Sequence, residues 1–370
     1  MSIEIHPKFK LNGIRYTKED LIEVGYSFIK EGEPYEQYIG DFLVDWCNAS
    51  TTISVQTSGS TGVPKPILLK KQKMVNSALA TGQYFDLKPG NTVLHCLPAE
   101  FIAGKMMLVR AMVLGLEIRC IEPTSNPLFS ISKSFDFCAM VPLQVQNSLQ
   151  KLNQLKRLIV GGAPITEGLW HELQSTTCRV FETYGMTETC THIAVKKVNP
   201  GLTEGQEHSA NLKTDLAEIN FNALPNVLFS VDKRGCLMIN APDIIEAPLA
   251  TNDMVKLISE TRFQWLGRLD HVINSGGVKL NPEQIEHKLA PMIKSRFFVT
   301  GLPDTTLGQR LTLIIEGEHD IEKLEKQLQS VTSLSKYELP KTIYSLPKFL
   351  ETETGKIRRK ENVDLILPSI

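Results

Sequence analysis

Hydrophobic positions near the start of the chain recur at helical spacing. Residues 18–30 and 34–47 each carry an apolar stripe with a period close to 3.6 residues, which predicts two amphipathic helices. Residues 53–57 instead alternate between apolar and polar side chains, which predicts a strand. This strand runs directly into a segment rich in serine and glycine.

Further along the chain, helical and strand patterns alternate. The predicted helices are 72–85, 103–115, 143–152 and 166–174, and the predicted strands are 93–97, 137–141, 158–160 and 180–181. Such alternation is typical of parallel α/β layers. From about residue 214 the pattern changes to short strands with turn signals, including 236–239 and a hairpin formed by 254–258 and 263–266.

A second unit is predicted after Arg268-Leu-Asp270. It would contain a hairpin at 272–280, helices at 282–289 and 320–332, and strands at 296–301, 310–316 and 342–345. These elements are enough for a small α+β domain. We therefore predict an α/β protein with a large N-terminal domain of layered sheets, residues 1–268, and a small C-terminal α+β domain, residues 269–370, on a hinge.

Composition narrows the class of protein. The 370 residues include 40 Lys and Arg against 41 Asp and Glu, and this balance argues against a general nucleic-acid binder. Hydrophobic residues make up 42% and charged residues 22%, as in soluble globular proteins. No apolar run reaches the ~18 residues that a membrane span requires. The first residues show no signal peptide, so neither membrane insertion nor secretion is predicted.

The cysteines and histidines suggest neither a disulfide framework nor a metal centre. The seven cysteines are odd in number and form no C-x-x-C pair, which favours reduced thiols in a cytoplasmic protein. The eight histidines are scattered and show no H-E-x-x-H spacing.

The strongest local signal is a segment of glycines and hydroxyl residues from Thr57 to Lys65. Gly59 and Gly62 allow tight turns and a close approach of the backbone to a ligand. Pro64 stands where a Walker A loop needs its second glycine, so that motif is excluded. A flexible surface loop is the alternative interpretation. The groups suited to phosphate oxygens are backbone N–H groups and the side chains of Thr57, Ser58, Ser60, Thr61 and Lys65.

This segment resembles the phosphate loop of the adenylate-forming enzymes, the family of acyl-CoA synthetases, firefly luciferase and peptide-synthetase adenylation domains. Four further segments resemble motifs of this family in the same order along the chain. They are Gly161-Gly162-Ala163 after a strand, Tyr184-Gly185-Met-Thr187-Glu188, the stretch from Phe263 through Arg268 and Asp270 to Glu283, and Thr354-Gly-Lys356. Five ordered motifs cover most of the chain, from residue 57 to 356, and the chain is identified on them as a member of this family.

The resemblance implies a two-step reaction that uses ATP, Mg²⁺ and CoA. A carboxylate attacks the α-phosphate of ATP to give an acyl-adenylate and pyrophosphate, and a thiol then displaces AMP. Two anions must meet in line in the first step, so the site needs positioning and positive charge. The implied partners are a small aromatic carboxylate, ATP and CoA.

The family motifs imply a role for individual residues. Thr187 would contact the α-phosphate and Glu188 would hold Mg²⁺. Asp253 would accept hydrogen bonds from both ribose hydroxyls, and Arg268 would bind the ribose or a phosphate. Asn252 replaces the glycine usual before this aspartate, and both residues tolerate left-handed backbone. The adenine and nucleotide contacts would come from Gly161, Gly162, Ala163, Thr183, Tyr184 and Gly185.

Lys356 is the residue expected to drive adenylation, by stabilising negative charge on the α-phosphate and the attacking carboxylate. It lies in a basic run, residues 356–360, and a solvated surface run is the alternative interpretation. The resemblance also implies that the small domain rotates about Asp270 after the first step. That rotation would bring Gly277 and Lys279 to the site for thioester formation.

A closer resemblance indicates the acid. The short chain and the run Tyr184–Ala194 are similar to the o-succinylbenzoate-CoA ligases of menaquinone biosynthesis. Phe101 replaces a histidine that the family often has near the acyl pocket. A second substrate carboxylate would need a cationic partner, and the candidates are Lys105, Arg110 and His192. Lys105 and Arg110 could equally be mere interruptions of an apolar helix face.

Other functions stay open at this point. The motifs also suit a synthetase for a different acyl or aryl acid, or an adenylating enzyme that loads a carrier protein. An adenylate-binding protein without turnover is a further alternative. The presence of a full set of catalytic candidates argues against it: Thr187, Glu188, Asp253, Arg268 and Lys356. Homo-oligomers are common among such enzymes, and the sequence does not distinguish a monomer from a homo-oligomer.

Overall fold

Parallel strands form one half of a large sheet in the computed structural model, which describes residues 4–56, 66–201, 220–352 and 355–367. The sheet runs in the order β1-β5-β4-β6-β7-β8-β9-β10-β14-β13-β12-β11, with parallel pairing from β1 to β8 and antiparallel pairing beyond. A separate hairpin pairs β2 with β3. The strands are β1 (Lys10–Leu11), β2 (Thr52–Gln56), β3 (Pro66–Lys70), β4 (Thr92–His95), β5 (Glu117–Cys120), β6 (Phe137–Met140), β7 (Arg157–Val160), β8 (Arg179–Gly185), β9 (His192–Lys197), β10 (Phe221–Ala223), β11 (Leu228–Val231), β12 (Cys236–Asn240), β13 (Leu249–Ser259) and β14 (Arg262–Arg268).

Helices cover both faces of the parallel half. The apolar side chains of β4 alternate between two cores, with Val93 packed in one and Leu94 in the other. This double burial explains the nearly continuous apolar runs of these strands, which are typical of parallel sheets. The mixed α/β fold predicted from the sequence is confirmed. The helices are α1 (Lys18–Glu31), α2 (Pro34–Cys47), α3 (Lys71–Tyr84), α4 (Ile102–Leu114), α5 (Pro142–Ser148) and α6 (Glu167–Leu173).

Helices α1 and α2 form a tightly packed pair, as their amphipathic patterns predict. Thr17 and Asp20 close the start of α1 with a reciprocal capping box. Gly25 and Gly40 face one another across the pair, and a Cβ on Gly40 would lie 2.5 Å from the carbonyl oxygen of Gly25. The close approach of the two backbones therefore depends on glycine.

The strand order places a topological switch point at β4. The chain pairs β5 with one edge of β4 and then β6 with the other edge. In open α/β sheets, ligands bind beyond the carboxyl ends of the strands at such a point. The fold itself thus points to the loops that follow β4, β6, β7 and β8.

The residues after Ile273 build a five-stranded sheet of their own. Antiparallel strands β16, β15, β18 and β17 are joined by β19, which pairs with β18 in parallel. Two hydrophobic clusters belong to this part alone. The elements are β15 (Ile273–Ser275), β16 (Val278–Leu280), α7 (Pro282–Leu289), β17 (Phe297–Asp304), β18 (Gly308–Glu316), α8 (Ile321–Gln329), β19 (Thr342–Leu346) and α9 (Arg359–Asp364).

The two sheets meet at the end of β14. Gly267 has a φ of +137°, and a Cβ there would lie 2.6 Å from Asn281 Oδ1 and 2.7 Å from Glu283 Oε2. The hairpin and helix predicted for 272–289 are confirmed, whereas α9 was not predicted. The domain division at 268/269 and the hinge at Asp270 stay predictions. Within the described residues, no helix is both long enough and apolar enough to cross a membrane.

Lys71 is a buried cation that closes the C-terminal end of α2. Its Nζ donates to the carbonyl oxygens of Trp46 and Asn48 and to Asn48 Oδ1, at 2.9, 3.1 and 3.0 Å. Burial lowers the pKa of Lys71. A cation at this position satisfies carbonyls that the helix leaves without a partner.

We expect Lys71→Met to lower the free energy of unfolding by about 1–3 kcal/mol, because buried carbonyls lose their donor. Lys70→Met is the matched control, since the side-chain contact described for Lys70 is an exposed ion pair with Glu246, and such pairs contribute little to stability. Urea unfolding of both variants checks this. Equal losses would contradict a capping role for Lys71.

Candidate active site

The sequence motifs come together at the carboxyl edge of the parallel strands. Gly161 follows β7 and the segment 183–185 ends β8, so neighbouring strands deliver them to the same edge. The Thr183 hydroxyl donates to the carbonyl oxygen of Val160 at 3.0 Å. A Cβ on Gly161 would lie 2.5 Å from Thr183 Oγ1, and Gly162 has a φ of +87°. Both glycines are thus required by the local geometry, and Ala163 continues this loop.

A tight turn joins β8 to β9 and carries Thr187 and Glu188. The turn begins with a short 3₁₀ segment, Thr187–Thr189. Cys190 follows with φ +60° and ψ −50°, and the Thr191 N–H donates to the Thr189 carbonyl at 2.7 Å, which makes a γ-turn. Positive φ at a residue other than glycine stores strain of a kind that clusters at functional sites.

The turn separates an exposed side from a buried side. Glu188 is exposed, whereas His192 at the start of β9 is buried. A Cβ on Gly185 would lie 2.3 Å from the Thr191 carbonyl oxygen, so only glycine lets the two sides approach. The turn therefore links an open face that bears Thr187 and Glu188 to a buried polar cluster.

Asp253 is a buried carboxylate with a partner on each oxygen. The Tyr184 hydroxyl donates to Oδ2 at 2.6 Å, and the Trp265 indole N–H donates to Oδ1 at 3.0 Å. Burial, together with the negative charge of Asp253, raises the pKa of Tyr184. Sequence reasoning singled out Tyr184 and Asp253 but missed Trp265. The available signal was an indole in a half-buried strand, since such an N–H usually finds an acceptor.

Arg268 and Lys356 lie in the same electrostatic neighbourhood. Arg268 pairs with Asp270 through two hydrogen bonds, of 2.9 and 2.8 Å, and this pairing lowers the pKa of Asp270. Lys356 is exposed, yet partial desolvation of its ammonium lowers its pKa, and the positive charge of Arg268 lowers it further, against the opposing effect of Asp253. The charges of Arg268 and Asp253 therefore act on Lys356, although the three residues lie far apart along the chain.

Gly277 and Lys279 lie in the β15–β16 hairpin. Gly277 has a φ of +82° at the turn, and Lys279 is exposed and pairs in register with Asn274. None of the contacts found among the described residues connects this hairpin to Asp253. The hairpin's part in a second step stays a prediction.

Arg110 and His192 form a buried polar cluster under the turn. Arg110 is 1% exposed, and its guanidinium donates to Thr81 Oγ1 at 3.4 Å, Thr191 Oγ1 at 3.3 Å and His192 Nδ1 at 3.4 Å. The opposite ring nitrogen of His192 is 3.5 Å from Thr81 Oγ1. Thr81 and Thr191 were not predicted as partners of Arg110, because nothing in the local sequence marks Thr81 and Thr191 was noted only as part of the run Tyr184–Ala194.

The cluster has an uncompensated positive charge. In the part of the chain that the structure describes, no carboxylate lies within ion-pair distance of Arg110. Burial lowers the pKa of Arg110 to about 9. Burial and the neighbouring Arg110 lower the pKa of His192 well below its usual value, so the imidazole is neutral.

Lys105 does not join Arg110. Its Nζ donates to the carbonyl oxygens of Ala99 and Glu100, at 2.7 and 2.8 Å, and lies 5.9 Å from the centre of the Phe42 ring. The ammonium therefore secures the loop before α4 and faces α2. Phe101 is the N-cap residue of α4. Of the residues predicted for an acyl pocket, the structure brings together only Arg110 and His192.

The predicted phosphate loop and the candidate metal ligand are less fully described. Thr57, Ser58, Gly59, Ser60, Thr61, Gly62 and Lys65 lie outside the described residues, between the paired ends of β2 and β3. Within the described residues, no group of three or more His, Cys, Asp or Glu side chains could hold a metal ion. Glu188 remains a single exposed carboxylate, which suits a cation that a nucleotide's phosphates also bind.

Comparisons with known proteins identify the family of the chain. The family described as "AMP-binding enzyme" matches residues 33–215. A solved structure from Dyadobacter fermentans, an acyl-CoA synthetase (AMP-forming)/AMP-acid ligase II-like protein, is 36% identical, with a TM-score of 0.58. The match covers 90% of this chain and 95% of that one.

More distant relatives have names that specify an acid. The 2-succinylbenzoate–CoA ligase of Enterococcus faecalis is 24% identical over 82% of this chain and 67% of its own length. The o-succinylbenzoate-CoA synthetase of Bacillus subtilis, solved with its acyl-adenylate intermediate, is 19% identical with a TM-score of 0.67, over 84% of this chain and 68% of that one. The chain spans about two thirds of the length of the curated relatives it matches.

The neutral state of His192 gives a prediction for stability. A histidine in the unfolded chain gains a proton below about pH 6.5, whereas His192 in the folded chain stays neutral, so each such histidine destabilises the fold as pH falls. His95 also stays neutral in the folded chain, because burial lowers its pKa to about 4. Between pH 7.5 and 5.5 each contributes a loss of about 1.4 kcal/mol.

We expect His192→Gln to reduce the loss of unfolding free energy between pH 7.5 and 5.5 by about 1.4 kcal/mol relative to wild type. His287→Gln, at an exposed position of α7, is the control and should leave the pH difference unchanged. Urea unfolding at the two pH values measures it. If His192→Gln lost as much unfolding free energy between the two pH values as wild type, the prediction that folded His192 stays neutral would be wrong.

Proposed function

The chain belongs to the AMP-binding enzyme family, the adenylate-forming enzymes, and we propose that it is an ATP-dependent acid–CoA ligase whose acid is 2-succinylbenzoate. The product would be the CoA thioester used in menaquinone biosynthesis. The observation that carries the choice of acid is the buried guanidinium of Arg110, which has only neutral partners among the described residues. The distant relatives named 2-succinylbenzoate–CoA ligase support the same choice.

A dicarboxylic acid supplies what the Arg110 cluster lacks. Only one carboxylate of the substrate is activated, and the other would be buried without a partner unless a cation met it. A guanidinium binds a carboxylate through two parallel hydrogen bonds and is the preferred group for this purpose. His192 and Thr81 already fix the orientation of Arg110, so the cluster is arranged before the ligand arrives.

The distance between the two halves of the site fits an aromatic acid. Thr191 lies three positions after Glu188, a separation of at most about 10 Å of backbone, and Thr191 contacts Arg110 directly. The activated carboxylate would lie near Thr187, on the exposed side of the turn. The second carboxylate would reach the buried side, with the ring between them.

The nucleotide would bind along the same edge of the sheet. Asp253 offers carboxylate oxygens to the ribose hydroxyls, and its contacts with Tyr184 and Trp265 hold it in place. The turn of Gly161 to Ala163 and the segment Thr183–Gly185 would line the adenine. Arg268 would take a phosphate or ribose oxygen, and the segment from Thr57 to Lys65 would hold the phosphates.

Charge stabilisation would come from Glu188, through Mg²⁺, and from Lys356. Mg²⁺ is usually bound by one or two carboxylates together with substrate phosphates, and it would neutralise the phosphate charge here. Lys356 would stabilise the negative charge that develops as the carboxylate attacks the α-phosphate. A rotation about Asp270 would then exchange Lys356 for the hairpin of Gly277 and Lys279, where CoA attacks the acyl-adenylate.

A CoA ligase for a different acid is the second candidate. Two observations favour it. The relative at 36% identity has a name that specifies no acid, and Phe101 stands where the family often has a histidine. The mechanism proposed for the nucleotide half would be the same.

The test measures pyrophosphate release by the purified chain with ATP, Mg²⁺ and a panel of acids, with and without CoA. We expect CoA-dependent turnover on 2-succinylbenzoate, with kcat/KM about 10- to 100-fold above that on benzoate, because a charged hydrogen bond is worth about 1.5–3 kcal/mol. Equal turnover on monocarboxylic acids would contradict the choice of acid. No pyrophosphate release with any acid would contradict the proposal that the chain is an acid–CoA ligase.

A further inference from the structure

Backbone hydrogen bonds pair two described stretches near Lys356, residues 350–352 and 355–358, which together are called the Lys356 hairpin. The Thr352 N–H donates to the Lys356 carbonyl at 2.9 Å, and the Arg358 N–H donates to the Leu350 carbonyl at 2.9 Å. The Lys356 N–H donates to Thr352 Oγ1 at 3.1 Å. The position of the Lys356 side chain therefore depends on the contacts that hold this hairpin against the rest of the chain.

Asn362 in helix α9 attaches the hairpin to the helix through side-chain hydrogen bonds. This side chain is fully buried, and its amide bonds both strands of the hairpin: it accepts from the Leu350 N–H at 2.9 Å and donates to the carbonyls of Leu350 and Arg358 at 2.9 and 2.8 Å. The hairpin and the first turn of α9 thus form one unit.

Arg359, the first residue of α9, fixes that unit to the small sheet. Its two terminal nitrogens each lie 2.8 Å from one oxygen of the Glu286 carboxylate on α7. The guanidinium also lies 5.6 Å from the centre of the Phe298 ring on β17. Glu286 in turn accepts from the Val299 N–H at 2.7 Å. The bidentate ion pair therefore joins α9 to α7, and the Glu286 carboxylate also links both helices to β17.

Arg359 differs in this respect from its basic neighbours. Arg358 and Lys360 are exposed, whereas the Arg359 side chain is 29% exposed and its planar guanidinium is held by the Glu286 carboxylate. The positive charge of Arg359 also contributes to lowering the pKa of Lys356. The basic run is thus not uniform: among its described side chains, Arg359 is the one that forms an ion pair with the small domain.

We propose that Arg359 and Glu286 are a positioning pair that holds Lys356 in place for acyl-adenylate formation and is dispensable for thioester formation. This inference rests on the two-step reaction proposed above. A displacement of about 1 Å in a group that stabilises a transition state can cost about 100-fold in rate. The planar fork of an arginine on a carboxylate restricts such displacements, and a lysine cannot replace it.

A merely structural role makes a different prediction. The hairpin assigned to thioester formation, β15–β16, belongs to the same small sheet as β17 and β18. If the ion pair only stabilised this part of the chain, its loss would impair both steps equally. A loss confined to the first step identifies positioning of Lys356.

The experiment compares Arg359→Met with the control Arg358→Met in the full-length chain. Acyl-adenylate formation is measured in a single turnover with ATP and 2-succinylbenzoate, and thioester formation is measured with added acyl-adenylate and CoA. We expect Arg359→Met to slow the first step about 100-fold and to leave the second within about threefold. Arg359→Lys should stay impaired in the first step, because charge without the fork is not enough.

Equal slowing of both steps, or no slowing of the first, would overturn the proposal. Amide hydrogen exchange of residues 355–358 provides a readout that does not depend on activity. We expect faster exchange in Arg359→Met and wild-type exchange in Arg358→Met, and unchanged exchange in both would also overturn the proposal. Should wild type form no acyl-adenylate with any acid, the proposed function fails, and the exchange result alone decides the positioning role.

Discussion

A buried guanidinium with no acidic partner among the described residues is the feature on which the site depends. Arg110 is surrounded by Thr81, Thr191 and His192, and the imidazole stays neutral beside it. A charge removed from water in this way is costly unless it is paired. The fold tolerates it because α4 is packed between α3 and the sheet, which fixes the cluster in place. A ligand carboxylate would recover part of that cost, and this links stability to substrate choice.

The turn between β8 and β9 connects this cluster to the chemistry. Cys190 adopts a strained positive φ, and the pairing of β8 with β9 on both sides of the turn holds it there. Glu188 stays exposed and Thr187 half-buried, while Thr191 reaches Arg110. On the other side of β8, Tyr184 contacts Asp253. A single strand and its turn thus relate the proposed acyl, ribose and phosphate positions to one another.

The sequence predicted the parts of the fold whose pattern is local. The amphipathic helices α1 and α2 and the apolar parallel strands have clear periodicity, whereas α9 is short and dominated by charged residues. The site was less accessible, because Trp265 and Thr81 gain their meaning from partners far along the chain. Helix geometry alone could have excluded Lys105 as a partner of Arg110. Residues five apart on a helix point about 140° apart, so Lys105 and Arg110 do not face one ligand.

The measurement that tests the central claim most directly is a thermodynamic cycle on Arg110. Dissociation constants are determined for two stable acyl-adenylate analogues, one with the second carboxylate of 2-succinylbenzoate and one without it, on wild type and Arg110→Met. If Arg110 receives that carboxylate, its removal weakens binding to wild type by about 10- to 100-fold and barely affects the variant. The same loss in both proteins would contradict the account.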